Sequence, residues 1–166
     1  MNTIRLAAPL QYESTVDGPG FRIVLWTQGC RMKCPGCHNP ETHDECGGSV
    51  YNVEDIINDL KTHYKHHKGL TLSGGDPFLQ PAQCLTIAKA AHELGLNVWA
   101  YCGMTFEQLT QDPEKLALLQ ECDVLVDGPF VLALRDTTLA FRGSSNQRLV
   151  DVQKSLIEGS VVEYGK

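Results

Sequence analysis

Three cysteines fall within eight positions of the stretch GCRMKCPGCHNP, residues 29–40: Cys30, Cys34 and Cys37. Cysteine thiolates at such close spacing hold metal, and their softness suits zinc or iron–sulfur clusters. Either site normally takes four ligands. A triplet therefore needs a fourth ligand from elsewhere, or leaves one metal position open. With seven cysteines in 166 residues, chance places this spacing about 0.01 times per chain, so coincidence explains it poorly. Zinc would take its fourth ligand from His38, His43 or Cys46. Zinc sites more often pair C-x2-C with a second distant pair, which this chain lacks. A four-iron cluster held by three cysteines, with one iron open, fits the spacing better. Apolar, structural cysteines are the third reading.

A second stretch, SGGDPF at 73–78, has the residues of a binding turn. Gly74 and Gly75 permit close approach of backbone to a ligand, and Asp76 can accept charge-assisted hydrogen bonds from an ammonium group. By itself the stretch is an ordinary turn. A third, FRGSSNQR at 141–148, is dense in hydrogen-bonding side chains and reads as a solvated polar loop or an anion or partner site. The HYKHHK run at 63–68 reads as a solvated helix end rather than a metal site. Cys46, Cys84, Cys102 and Cys122 show no second cluster spacing, and Cys84 reads as packing.

Four strands must position these groups. Residues 21–26, 69–73, 96–101 and 123–127 are short β-branched or aromatic runs ended by glycine or proline. Residues 52–64 read as a helix capped by Asn52, with Val53, Ile56, Ile57 and Leu60 on one face. Residues 81–95 read as a helix from Pro81 to a C′ Gly95. A further helix is expected around 113–120. The last 35 or so residues show no clear period. Strand, loop and helix thus alternate, which predicts an α/β fold of parallel strands with helical crossovers. A complete eightfold barrel takes about 250 residues, so a partial, TIM-like β/α barrel in a single domain, 1–166, is expected. Sites in such folds gather at the C-terminal ends of the strands. The cysteine loop and the loops at 74–77, 101–103 and 127–129 should therefore meet at one cleft, with Asp127 a further candidate for its lining. That convergence favours a site over a plain turn at 74–76.

The net charge of −6 and the absence of a Lys/Arg run argue against a nucleic-acid partner. The apolar runs are too short to span a bilayer, and the N-terminus lacks the apolar core and cleavage pattern of an export signal. The protein is expected in the cytoplasm, where seven cysteines point to metal or redox chemistry rather than disulfides.

C-x3-C-x2-C after the first strand resembles the signature of radical S-adenosylmethionine enzymes. The resemblance implies that Cys30, Cys34 and Cys37 ligate a [4Fe–4S] cluster whose open iron is chelated by the methionyl end of S-adenosylmethionine. Reductive cleavage would give a 5′-deoxyadenosyl radical. It also implies that Gly36, Cys37 and His38 lie near the adenosyl group, and that Gly74, Gly75 and Asp76 hold the methionyl amino group. No catalytic residue beyond the cluster is assigned.

Many superfamily members carry an aromatic residue where this chain has Gly36, and Gly-Gly-Glu where it has Asp76. Both departures resemble the activating proteins of anaerobic, class III ribonucleoside-triphosphate reductases. STVDGPGFRIVLWTQGC at 14–30 resembles the segment preceding the cluster in glycyl-radical-enzyme activators. By its residues alone the DGPG stretch is a turn with an exposed Arg22. VLVDGPF followed by RGSSNQ resembles the reductase activators in particular. Some formate-lyase activators contact ribose and a cation at the end of the strand that here reads AYCG, at 100–103, so that role is not assigned. The implied activity is abstraction of a glycine Cα hydrogen on the reductase, leaving a glycyl radical. The implied partners are that reductase and flavodoxin or ferredoxin as electron donor. Alternatives are an activator of another glycyl radical enzyme, of the pyruvate formate-lyase type, or a non-catalytic metal-binding module.

Overall fold

The computed structural model describes residues 2–31, 36–37 and 40–165. The parallel strands form where expected. β1 (Thr3–Leu6), β2 (Gln11–Ser14) and β3 (Arg22–Thr27) come first, then β4 (Ser49–Asn52) and helix α1 (Val53–His63). They are followed by β5 (Gly69–Gly74), α2 (Pro81–Glu93), β6 (Asn97–Cys102), α3 (Phe106–Leu109), α4 (Pro113–Gln120), β7 (Val124–Asp127), β8 (Arg148–Asp151) and α5 (Val152–Glu158). One mixed sheet runs in the order β4-β1-β3-β5-β6-β7-β8, with β2 also paired to β3. The central four, β3, β5, β6 and β7, are parallel. β1 and β2 run antiparallel to β3, and β8 antiparallel to β7. The antiparallel strands were not expected. Each is only four residues long, too short to show a period.

The crossover helices start as the sequence predicts. Asn52 caps α1 by accepting the N–H of Glu54, with Glu54 and Asp55 in the first turn to complement the helix dipole. Pro81 opens α2. Asp112, an N-cap outside the sequence expectation, accepts the N–H groups of Glu114 and Lys115 at the start of α4.

Alternation along each strand sends side chains to two faces. Ile23, Leu25, Leu70, Leu72, Val98, Ala100 and Leu125 pack against the buried faces of α1, α2, α4 and α5 in one apolar core. The intervening residues face the other way, where Trp99, Val124 and Val126 form a small cluster with Tyr101, Phe141 and Leu149. Arg22 is buried there, not exposed as the turn alone suggested. Its guanidinium donates to Thr71 Oγ1 at 2.8 Å and to the carbonyls of Pro19 and Leu70. It also lies 5.5 Å from the Trp99 ring centroid. Burial lowers its pKa to about 10, which still leaves it charged at neutral pH. Among the described residues no helix is long and apolar enough to cross a membrane.

Candidate functional site

The strand ends do meet. A cleft of about 650 Å³ is lined by Cys30 and Cys37 after β3, Ser73 to Gly75 at the end of β5, Tyr101 and Cys102 at the end of β6, and Gly128 after β7. Asp17 and Trp26 close it on one side, and Arg142, Gly143 and Gln147 on the other. Cys34 and His38, both assigned roles from the sequence, lie outside the described residues.

The cysteine loop is tied down by main-chain bonds that continue the sheet beyond β3. The N–H of Gly29 donates to Thr42 O at 2.6 Å and that of Cys30 to His43 O at 3.1 Å. Buried Gln28 adds bonds to the carbonyls of Glu41 and Asp44. The glycine turn is laced to the same loop, because Gly75 N–H donates to Thr27 O and Asp76 N–H to Gly29 O, at 2.9 and 2.7 Å. This lacing gives the two glycines a structural reason beyond ligand approach. A Cβ on Gly74 would meet the backbone N of Thr27 at 2.5 Å, and one on Gly75 the carbonyl of Thr42 at 2.8 Å. No side chain fits between these two backbones.

Gly36 has a comparable constraint. Its φ is +75°, and a Cβ there would sit 2.8 Å from Leu132 Cδ1 and 3.3 Å from the Phe130 ring. The aromatic residue of the wider superfamily pattern would compete with Leu132 and Phe130 for the same space.

Asp76 is deeper than the sequence implies. It is 4% exposed and is not among the residues lining the cleft. Oδ1 accepts the N–H of Phe78 at 3.0 Å and caps the short turn Pro77–Leu79. Oδ2 accepts the thiol of Cys102 at 3.5 Å. Burial raises the carboxyl pKa, with the Phe78 N–H and the Cys102 thiol opposing. Among the described residues no Lys or Arg forms an ion pair with it. The result is a buried carboxyl in no ion pair among the described residues, one thiol behind the cleft wall, with Lys115 acting on it only from a distance. Cys102, which has no role assignable from its spacing, joins the cleft to Asp76. Burial holds its own pKa well above normal, so it stays a thiol and a donor.

Asp127 does not line the cleft. It is 1% exposed, accepts the N–H of Phe106 at 2.8 Å, and is gripped by Arg148, whose Nε lies 3.0 Å from Oδ1. The antiparallel register places Arg148 directly opposite Asp127, and Glu107 takes the other side of the guanidinium.

The 141–148 stretch is not a solvated turn. Gln147 Oε1 accepts the N–H groups of Gly143 and Ser144, and its Nε2 donates to Gly128 O at 3.1 Å. Asn146 donates to Pro129 O, and Ser144 Oγ accepts the N–H of Val131. The side chains staple this loop to the end of β7, which makes it a wall of the cleft. Of the remaining cysteines, Cys84 and Cys122 are buried in the helix-side core, as packing predicts for Cys84. Among the described residues no three His, Cys, Asp or Glu side chains gather to hold a metal, the 63–68 run included.

Thiols on one wall beside a glycine turn backed by an unpaired carboxylate suit a soft metal centre next to a bound ammonium group. Comparison with known proteins agrees. Residues 16–150 match the family described as "4Fe-4S single cluster domain". The chain is 38% identical over 140 residues to the protein of Escherichia coli (strain K12) named "Anaerobic ribonucleoside-triphosphate reductase-activating protein", covering 80% of this chain and 89% of that one. Proteins of the same name from Haemophilus influenzae (35% over 148 residues, 83% and 94% covered) and Enterobacteria phage T4 (35% over 141 residues, 81% and 86% covered) are also similar. Among solved structures, "Crystal structure of QueE from Escherichia coli" has a similar fold, with TM-score 0.51 and 14% identity. The match spans 62% of this chain and about half, 53%, of that one.

Proposed function

The chain belongs to the family of anaerobic ribonucleoside-triphosphate reductase-activating proteins, and from that membership we propose that it activates such a reductase by forming a glycyl radical on it. When bound, a [4Fe–4S] cluster and S-adenosylmethionine supply the electron and the 5′-deoxyadenosyl radical that takes a hydrogen atom from a glycine Cα. The observation that carries the reading is the meeting, in one cleft, of Cys30 and Cys37 with the Gly74-Gly75 turn.

The chain's own residues divide the work. Cys30, Cys34 and Cys37 would be the cluster's protein ligands, leaving one iron for the cofactor. Gly36 leaves room for Leu132 and Phe130, and His38 would contact the adenosyl group. Gly74 and Gly75 keep the end of β5 against the end of β3, which would place a bound cofactor beside the cysteine loop. Asp76 would take the ammonium group of the methionyl moiety, since no Lys or Arg among the described residues forms an ion pair with its carboxyl. Cys102 orients that carboxylate. The parallel strands are read as the arc of a partial β/α barrel, with the whole chain, 1–166, as one domain. The protein works in the cytoplasm, with flavodoxin or ferredoxin as electron donor.

Two measurements test this. Anaerobically purified protein should carry about four irons per chain, and the reduced protein with S-adenosylmethionine and the reductase should give a glycyl radical signal by EPR. Cys37→Ala should give neither. Stoichiometric zinc with no cofactor cleavage under reduction would overturn the proposal.

A further inference from the structure

Apart from its cysteines, the cleft is lined by two charged side chains among the described residues, Asp17 and Arg142. Arg142 stands out. Its Nη1 donates to Gln147 O at 3.1 Å, yet its Nε is buried with no acceptor. No carboxylate among the described residues forms an ion pair with it. A guanidinium offers five donors in a fixed fork, and a buried N–H with no acceptor is rare and costly.

The backbone delivers this side chain at a cost. Phe141, just before it, has φ +62°, an unfavourable conformation for an aromatic residue. The Phe141 ring packs edge-on against Trp99 with centroids 5.4 Å apart, which anchors the strained position. The chain is thereby turned so that Arg142 joins the cleft wall.

Its place in the cleft indicates the occupant. The cluster and methionyl groups belong to the ends of β3 and β5, whereas Arg142 lies on the connection from β7 to β8, with β6 and β7 between in the sheet order. Phe130 and Leu139 line the wall beside it, and Leu132 and Leu134 of the same connection are 53% and 44% exposed. A single cation beside aromatic and apolar wall residues, on a connection that also exposes two leucines, suits a polypeptide better than a compact anion. The target residue of the proposed reaction is glycine, which has no side chain to recognise. Selection at that point must read main-chain groups, and arginine supplies donors for carbonyl oxygens.

We propose that Arg142 receives the polypeptide substrate, donating from the guanidinium edge not taken by Gln147 O to a main-chain carbonyl of the segment that carries the target glycine, with Leu132 and Leu134 flanking that segment. The proposal rests on the glycyl-radical reading above and adds the residue that recognises the protein partner.

Arg142→Gln and Arg142→Lys, prepared as cluster-loaded protein, test it. The reductase concentration giving half-maximal glycyl radical should rise at least tenfold in the glutamine variant and about threefold in the lysine variant. Affinity for S-adenosylmethionine, measured by equilibrium dialysis, should change less than threefold. A parallel loss of cofactor affinity would overturn the proposal by turning Arg142 toward the cofactor. An unchanged reductase dependence would overturn it by leaving Arg142 as a brace for Gln147. Should Arg142→Gln fail to fold, Leu134→Ser on the exposed rim takes its place. A rise of about threefold in the half-maximal concentration supports the seat, and no change overturns it. Wild-type protein that binds iron but never cleaves S-adenosylmethionine would instead sink the activating reading itself.

Discussion

The two faces of the sheet are made by the same four parallel strands under different rules. Toward the helices, β3, β5, β6 and β7 present Ile23, Leu25, Leu70, Leu72, Val98, Ala100 and Leu125, all apolar. Toward the other face the same strands mix polar Arg22, Thr71, Ser73 and Tyr101 with apolar Trp26, Trp99, Val124 and Val126. Parallel strands buried on both sides ordinarily read as unbroken apolar runs. Polar residues at alternate positions here identify the face that holds a site rather than a face turned to water. The polar groups also differ in how they are satisfied. Arg22 is surrounded by acceptors, and Tyr101 is kept protonated by burial, which raises its pKa. Near the cleft, among the described residues, Asp76 forms no ion pair and Arg142 Nε has no acceptor, as befits groups beside a ligand site.

The largest effect should come from the helix side. Leu25→Ala removes a fully buried side chain from the main core and should cost about 3 kcal/mol in denaturant unfolding. Affinity for S-adenosylmethionine should stay within twofold, because Leu25 does not face the cleft. A large loss of affinity from this change would break the division between the faces.

Asp76→Asn should behave oppositely. Asparagine caps the Pro77–Leu79 turn as well as aspartate does. A carboxyl whose pKa is raised by burial favours the fold only while protonated, and that contribution is lost as pH rises. Wherever the carboxyl is ionised its charge is a net cost to the fold, which asparagine removes. Thermal stability should be equal or higher, while affinity for S-adenosylmethionine falls about tenfold, the loss of one charge-assisted bond. Lower stability with intact affinity would show that Asp76 is only a cap.

The legibility of the chain follows the same division. The helix-side pattern was plain in the sequence, since α1, α2, α4 and the four parallel strands carry regular apolar spacing. The short strands β1, β4 and β8 are held by antiparallel pairing with strands well separated in sequence, and β2 by the irregular pairing of its bulged register with β3; local pattern carries little trace of either. Arg22 read as exposed because a turn precedes it; its acceptors, Thr71 and the Leu70 carbonyl, come from another strand. The cysteine and glycine loops were legible as a site because parallel topology sends strand ends to one place. The depth of Asp76, its link to Cys102, and the stapling of 141–148 onto Gly128 and Pro129 depend on contacts between loops, which spacing alone does not encode.

The smallest effect tests how the helix side tolerates charge. His92 on α2 lies between two carboxylates, Nδ1 at 2.9 Å from Glu121 Oε1 and Nε2 at 2.8 Å from Asp123 Oδ2. Asp123 Oδ2 also accepts the N–H of Val98, at the start of β6. Burial by itself would lower the His92 pKa, but the bonds to Asp123 and Glu121 outweigh it and raise it above the usual value. A histidine with a raised folded-state pKa gives its full stabilisation below the unfolded value, about 6.5, and loses it as pH rises through the folded value. The side chain is 32% exposed, so solvent screening keeps the contribution below about 1 kcal/mol. The melting-temperature difference between wild type and His92→Asn should therefore be greatest near pH 6 and shrink toward pH 9. A difference independent of pH would mean that His92 acts here by packing alone. The helix side would then hold its polar groups by shape rather than by paired charge.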